Sequence, residues 1–268
     1  MTASLTVVKL GGALLTDKTQ PYTLRAGILA QIAGELQNCR QQGLIERLVL
    51  VHGVGSFGHP PVVAHGLHKG FQSPEQLIHL TGAQNSVLRL RLALAEACHA
   101  AALPVATILP SSCMTARNFT TREMFLDPVA GFLDLGMIPL LGGDVLVDDG
   151  VGFSVGGGDA LAVALALHFE AGRLVFATAV DGIYDRDPAR HPDARLLPRV
   201  SLGAAADARL DRRAATDASG AMAGKLDALN PARDAITDGL RVDILSMLQP
   251  GNLAALLAGE AVGTRIAI

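Results

Sequence analysis

Lys9, His59, Asp159 and Lys225 each stand beside glycines in this sequence, the residue type that lets an anion approach the main chain closely. Lys9 interrupts the apolar stretch SLTVVKL just before Gly11-Gly12. An ammonium there is costly to bury without a partner, so it predicts an anion, with a structural salt bridge as the plainer alternative. His59 closes the run Gly53-Val54-Gly55-Ser56-Phe57-Gly58, and Asp159 follows Gly156-Gly157-Gly158 at a predicted helix start, where its simplest role is an N-cap. Gly220 to Lys225 falls one residue short of a P-loop and lacks the hydroxyl that would hold Mg²⁺. A glycine and a lysine opening a helix would still make a phosphate site through free N–H groups and the helix dipole.

Glycines 53, 55 and 58 invite the dinucleotide fingerprint, but the context argues against it. That motif belongs to the first βαβ unit, leads into a full helix and has an acidic residue about 20 positions on. Here it follows the second predicted strand and runs into His59-Pro60-Pro61, with Gly66 and Gly70 breaking what comes next. The nearest acidic residue, Glu75, opens a helix.

The elements that must position these residues alternate. Strands are predicted at 4–10, 47–53, 104–109, 137–143, 173–179 and 241–247, and a hairpin at 145–155 turns on Asp148-Asp149-Gly150. Helices are predicted at 24–42, from a Ser73-Pro74-Glu75 cap to about 102, at 159–169 and at about 219–239. Nearly continuous apolar strands alternating with helices predict an α/β fold, a largely parallel sheet covered on both faces. Ligands of such sheets sit at the carboxyl ends of the strands, where these glycines cluster. Leu77, Ile78, Leu80, Val87 and Ile138 could line an apolar pocket, although their spacing equally suits plain core.

A net charge of −3 with no Lys/Arg block argues against nucleic acid as a partner. Cys39, Cys98 and Cys113 form no CxxC pair, which predicts neither a disulfide framework nor a zinc site. No basic leader precedes an apolar run and no uncharged apolar stretch reaches about 18 residues, so a soluble cytoplasmic protein without a membrane partner is expected.

Taken in order, VVKLGGALLTDK (7–18), VHGVGSFGH (51–59), GGDVLVDDGVGFSVGGGD (142–159), VDGIYDRDPARHPDARLL (180–197), DASGAMAGKLDAL (217–229) and PGNLAALLAGEAVGTRI (250–266) resemble the amino acid kinase superfamily. The Gly-Ser-Phe-Gly-His run is most similar to its isopentenyl phosphate kinase branch, and fosfomycin kinases carry a similar loop. The resemblance implies a three-layer αβα sandwich on a mainly parallel sheet. Residues 1–170 would form a lobe for a small phosphate acceptor and 171–268 a lobe for ATP, with Mg²⁺ as cofactor and a homodimer as the expected assembly. The implied reaction gives isopentenyl diphosphate and ADP from isopentenyl phosphate and ATP. A phosphonate kinase and a catalytically silent nucleotide-binding relative are the alternatives.

Carried over residue by residue, the resemblance makes Lys9, His59, Asp159 and Lys225 the catalytic set. Lys9 and Lys225 would meet the transferring phosphoryl group, Asp159 would position both, and His59 would donate to the acceptor phosphate as an imidazolium. Lys9, Gly11, Gly12, Ala13, Lys18, Gly55, Ala179, Asp181, Gly182, Ala221 and Lys225 fall on the nucleotide side. Gly53, Val54, Gly55, His59, Gly142, Gly143, Asp144, Gly157 and Gly158 fall on the acceptor side, and no residue is assigned to a metal. Ala13, Val54, Ala179 and Ala221 depart from the family pattern, which usually has Ser, Gly or Ala, Asp and Gly there. His65, His68, His79, His99 and His168 receive no role, and Asp148 and Asp149 are expected to be turn residues.

Overall fold

The computed structural model describes residues 4–188, 190–202 and 221–268. The chain runs β1 (Leu5–Leu10), α1 (Gly12–Leu15), β2 (Thr16–Asp17), β3 (Thr23–Leu24), α2 (Ala26–Gln41), β4 (Arg47–His52), α3 (Gly55–Ala64) and α4 (Gln76–Ala100). Next come β5 (Val105–Thr107), α5 (Pro110–Cys113), β6 (Met114–Arg117), β7 (Thr120–Met124), α6 (Asp127–Asp134), β8 (Ile138–Gly142), β9 (Asp144–Asp148) and β10 (Gly152–Gly156). It closes with α7 (Gly158–His168), β11 (Arg173–Thr178), β12 (Arg199–Ser201), α8 (Ala221–Ala228), α9 (Arg233–Thr237), β13 (Arg241–Ser246), α10 (Asn252–Leu257) and β14 (Thr264–Ala267).

Eight strands form one sheet in the order β12-β14-β13-β11-β1-β4-β8-β5, parallel throughout except where β14 meets β13. A side chain's parity along its strand decides which layer it packs into. Val7, Val49, Val51, Leu141, Leu174 and Phe176 join Ala162 and Val163 of α7 and Leu226 of α8 on one face. Val8, Leu10, Leu48, Leu50, Leu140 and Val175 join Ile32 and Leu36 of α2 and Leu90 and Leu94 of α4 on the other. Two cores on opposite faces of one sheet are the three layers.

The same parity aims two polar side chains. Lys9 shares the face of Val7, over which α7 lies, and His52 shares the face of Leu50, over which α4 lies.

The structure departs from the sequence reading in several places. The predicted 219–239 helix breaks at Pro231 into α8, a short 3₁₀ turn (Asn230–Ala232) and α9, because proline removes a helical N–H. Residues 219 and 220 lie outside the described residues. Helix α4 has no side-chain cap from Ser73; instead Gln76 Oε1 accepts the Gln72 N–H at 2.7 Å. A second sheet, β10-β9-β6-β7, includes two strands the periodicity did not announce. Asp148 does more there than turn a hairpin: buried, it accepts N–H groups from Asn118, Phe119, Gly150 and Val151 and so ties the two turns of this sheet together.

Candidate active site

The carboxyl ends of β1, β4 and β11 open into a cavity of about 440 Å³. Glycines from two loops make its floor possible, though not only by admitting a ligand. A Cβ on Gly12 would overlap the Gly55 backbone, and one on Gly55 would overlap the Thr16 hydroxyl. The two loops thus touch main chain to main chain. Thr16 Oγ1 joins them, donating to Gly12 O at 2.8 Å and accepting the Ser56 N–H at 3.0 Å. Gly55 also has a φ of +48°, which an L side chain adopts only under strain.

The glycine run leads straight into a helix, contrary to the sequence reading, even though α3 contains Pro60 and Pro61. Each proline deprives the carbonyl four residues earlier of its donor. Tyr22 N–H donates to Ser56 O at 3.3 Å and the Ser86 hydroxyl donates to Phe57 O, so both orphaned carbonyls are satisfied from outside the helix. This repair keeps α3 regular, and α3 carries His59 to the cavity rim.

Lys9 is only 5% exposed, between Val51 and Phe176 in the sheet. Its Nζ lies 2.6 Å from Asp159 Oδ1, and Lys225 Nζ lies 3.6 Å from Asp159 Oδ2, so one carboxylate in the first turn of α7 engages two ammonium groups. Burial pushes the Lys9 pKa below its ordinary value; Asp159 opposes the shift and Lys225 adds to it. Lys18, exposed in the β2–β3 hairpin, and the His59 imidazole complete the rim. His59 is likewise held below its usual value, by desolvation first and then by the charges of Lys18 and Lys9. The imidazolium expected from the sequence therefore needs an anion beside it.

Three helix amino ends, those of α1, α3 and α7, line this cavity. First-turn N–H groups have no partner inside a helix, and together with the cations they make a site for anionic groups. The amino acid kinase family model matches residues 4–245. The chain belongs to the amino acid kinase family. The isopentenyl phosphate kinase of Methanothermobacter thermautotrophicus is 33% identical over 97% of this chain and 98% of its own length. That of Haloferax volcanii is 30% identical over 98% of each chain. A solved isopentenyl phosphate kinase structure superposes with a TM-score of 0.82 at 30% identity, covering 98% of this chain and 100% of that one. The αβα sandwich on a mainly parallel sheet is the fold of these neighbours.

Within this amino acid kinase fold the sequence-derived residues separate into two groups. Lys9, Gly11, Gly12, Ala13, Lys18, Gly53, Val54, Gly55, His59, Gly157, Gly158, Asp159, Ala179 and Lys225 all line the cavity. Gly143, Asp181 and Gly182 do not, and Gly142 and Asp144 instead line a neighbouring cavity of about 390 Å³. Gly142 lacks a side chain because the His52 ring lies against it, and Gly143 because Val54 does. Asp144 is buried, accepting from Gln84 Nε2 at 3.2 Å and from the Ser111 N–H at 3.2 Å. Asp181 accepts the Tyr184 hydroxyl at 2.9 Å, and Gly182 packs on Thr264. The Ala221 side chain lies outside the described residues. Lys225 sits inside α8, four residues after Ala221, and not at a helix opening, so it reaches the cavity by its side chain alone.

Apolar ground adjoins the cations. A cavity of about 390 Å³ shares Gly156, Gly157, Ala160 and Ala228 with the polar one. A third, of about 340 Å³, is lined by Leu77 and Leu80 with Phe71, Val145 and Phe153, and Leu146 borders both apolar cavities. Of the other apolar candidates, Val87 and Ile138 are core and Ile78 is exposed. Sequence reasoning missed His52 and Arg91, both fully buried under the glycine turns; their signal was polar residues on otherwise apolar faces of β4 and α4.

Proposed function

We propose that the protein transfers the γ-phosphoryl group of ATP to isopentenyl phosphate, giving isopentenyl diphosphate and ADP. The observation that carries this reading is the pairing of Lys9 and Lys225 on one Asp159 carboxylate, across a glycine-lined cavity from His59. Isopentenyl phosphate kinases among the relatives supply the substrate class.

Bringing a phosphate against ATP sets anion against anion, about 4 kcal/mol per unit-charge pair at 4 Å and an effective dielectric near 20. Lys9 and Lys225 offset this charge on the moving phosphoryl group, and Asp159 holds both tips until phosphate oxygens compete for them. An acceptor phosphate oxygen forms the new bond to the γ-phosphorus while the bond to the β-bridging oxygen breaks and ADP leaves. The acceptor is ionised above about pH 6, so no general base is required. His59 donates to the acceptor phosphate, whose charge restores its proton.

The described residues do not fit a resident metal ion: no group of three or more His, Cys, Asp or Glu side chains is arranged to hold one. Asp159, the carboxylate at the cavity, is engaged by two lysines. Mg²⁺ accordingly enters with the nucleotide as MgATP, a part of the substrate.

In this reading the sheet is shared. Residues 1–170 hold the acceptor and residues 171–268 hold the nucleotide, with Lys9 on β1 at the seam. The chain works as a cytoplasmic homodimer, which light scattering on the purified protein would check. No helix among the described residues is long and apolar enough to cross a membrane.

The test compares acceptors in a coupled ADP-release assay with MgATP. Isopentenyl phosphate should be consumed and fosfomycin should not, since the ground beside the cations is apolar. Turnover of fosfomycin alone would replace the acceptor, and tight ATP binding without turnover of either would make the chain a silent relative.

A further inference from the structure

A chain of buried polar groups runs beneath the acceptor side of the cavity, and the phosphate clamp does not account for it. Arg91, on α4, is 1% exposed and His52, the last residue of β4, is 0% exposed. Arg91 Nε donates to His52 Nε2 at 2.9 Å, and its Nη2 donates to Gly143 O at 3.2 Å. Asp144 lies 3.9 Å from Arg91 Nη1. A guanidinium can only donate, so His52 Nε2 must be the bare nitrogen and Nδ1 must carry the proton. That Nδ1 lies 3.2 Å from Gly53 O, to which it donates. Burial, with the Arg91 charge beside it, pushes the His52 pKa down to about 3, so the ring stays neutral over the working pH range and the Arg91 donor sets its tautomer.

The consequence follows from peptide geometry. A trans peptide is planar, with its C=O and N–H pointing in opposite directions. Gly53 N–H is also fixed, donating to Leu10 O at 2.8 Å. With its carbonyl drawn down to His52, the Gly53–Val54 peptide turns the Val54 N–H the other way, and Gly53, Val54 and Gly55 line the cavity. We infer that Arg91 and His52 are positioning residues: they lock the Gly53–Val54 peptide so that the Val54 N–H faces the acceptor phosphate.

This also gives Val54 a reason to stand where the family usually has a smaller residue. A glycine pair could let the peptide flip. Here Val54 packs against Gly58 and Gly143, neither of which has room for a Cβ beside it, and the relay holds the plane from below.

The inference rests on a phosphate acceptor occupying this side of the cavity, and two substitutions at His52 isolate the donor. In Asn the amide nitrogen is bonded to Cγ, as Nδ1 is in His, so His52→Asn keeps a donor toward Gly53 O; His52→Leu keeps the bulk and removes it. His52→Leu should raise the isopentenyl phosphate KM about tenfold or more with the ATP KM within about twofold of wild type, and His52→Asn should recover most of the loss. Equal effects of the two variants, or ATP and acceptor KM rising together in step with a lower Tm, would overturn the relay. Should His52→Leu fail to fold, Arg91→Lys serves the same comparison, because it keeps the charge near Asp144 and replaces the fixed fork that reaches His52 and Gly143 from two nitrogens with a single nitrogen.

Amide NMR with inorganic phosphate as the probe separates this from the choice of acceptor. The Val54 amide proton should move downfield on titration into wild type and respond far less in His52→Leu. A wild-type response without isopentenyl phosphate turnover would retire the acceptor and keep the relay. An unresponsive Val54 amide in a protein that does turn over would retire the relay alone.

Discussion

Each side of the sheet pairs a buried aspartate with an arginine, at opposite ends of the strands. On the β4–β8 side, Arg91 and Asp144 lie under the carboxyl ends of β4 and β8, against the glycine turns that line the cavity. On the β11–β14 side, Arg173 begins β11 and lies 3.9 Å from Asp243, the third residue of β13, to which Arg265 of β14 is also paired. That second group staples three strands at the end remote from the site. Each holds a buried aspartate, and removing the charge partner of a buried ion is costly wherever it sits. Only the first is placed to change how a ligand is held, so position along the strand decides whether a buried charge reaches function.

The largest effect expected on this contrast comes from the cation carried by α8. Lys225→Ala should lower kcat by about 10²-fold or more, since it removes a charge aimed at the transition state. The acceptor KM should change little, as His59 and Val54 remain. An unchanged kcat would mean that the halves do not meet at the phosphoryl group.

Asp243→Asn tests the remote pair. It should cost about 3 kcal/mol, seen as a Tm lower by roughly 5–10 °C, with both KM values intact. A selective rise in either KM would erase the distinction between the two pairs.

Glycines divide in the same way. Gly12→Ala drives a methyl group into the Gly55 backbone and should destabilise by about 2 kcal/mol. Gly224, inside α8, has open space where a Cβ would go, and Gly224→Ala should leave stability unchanged or raise it by up to about 1 kcal/mol. Thermal unfolding of the two variants side by side checks this; equal losses would contradict it.

The smallest effect is a shift in pH dependence. Lys9 loses its proton in the folded protein below the ordinary 10.5, so between the two values the unfolded chain binds more protons and this group's contribution to stability rises with pH. Activity moves the other way, because the ammonium disappears. The alkaline limb of kcat/KM, which reports the free enzyme, should fall below pH 10.5, while that of kcat should lie higher because bound phosphates stabilise the ammonium. Coincident limbs at or above that value would show that Lys9 does not control them.

Much of this was legible from residue order. Lys9 before two glycines and Asp159 after three fixed the places where charge had to be met, and βαβ alternation put them at one end of a sheet. What escaped depended on partners far along the chain. Nothing near Pro60 and Pro61 announces that Tyr22 and Ser86 will take up the carbonyls those prolines orphan, so α3 read as broken. His52 and Arg91 are 39 positions apart and meet only because β4 parity and the α4 face coincide. Asp181 and Gly182 lie outside the lining of the cavity for a related reason: a turn rich in small and acidic residues looks alike whether it faces a cavity or packs on Thr264. Gly12 and Gly55 were read as making way for phosphate, whereas each is needed first to admit the other loop.

The account stands on cations from both halves converging on one phosphoryl group, and a crystal structure with a non-hydrolysable ATP analogue and isopentenyl phosphate measures that directly. It should place the Lys9 and Lys225 ammonium groups within about 3 Å of γ-phosphoryl oxygens and His59 on the acceptor phosphate. Either lysine still bound only to Asp159, with the phosphoryl chain lying elsewhere, would contradict it.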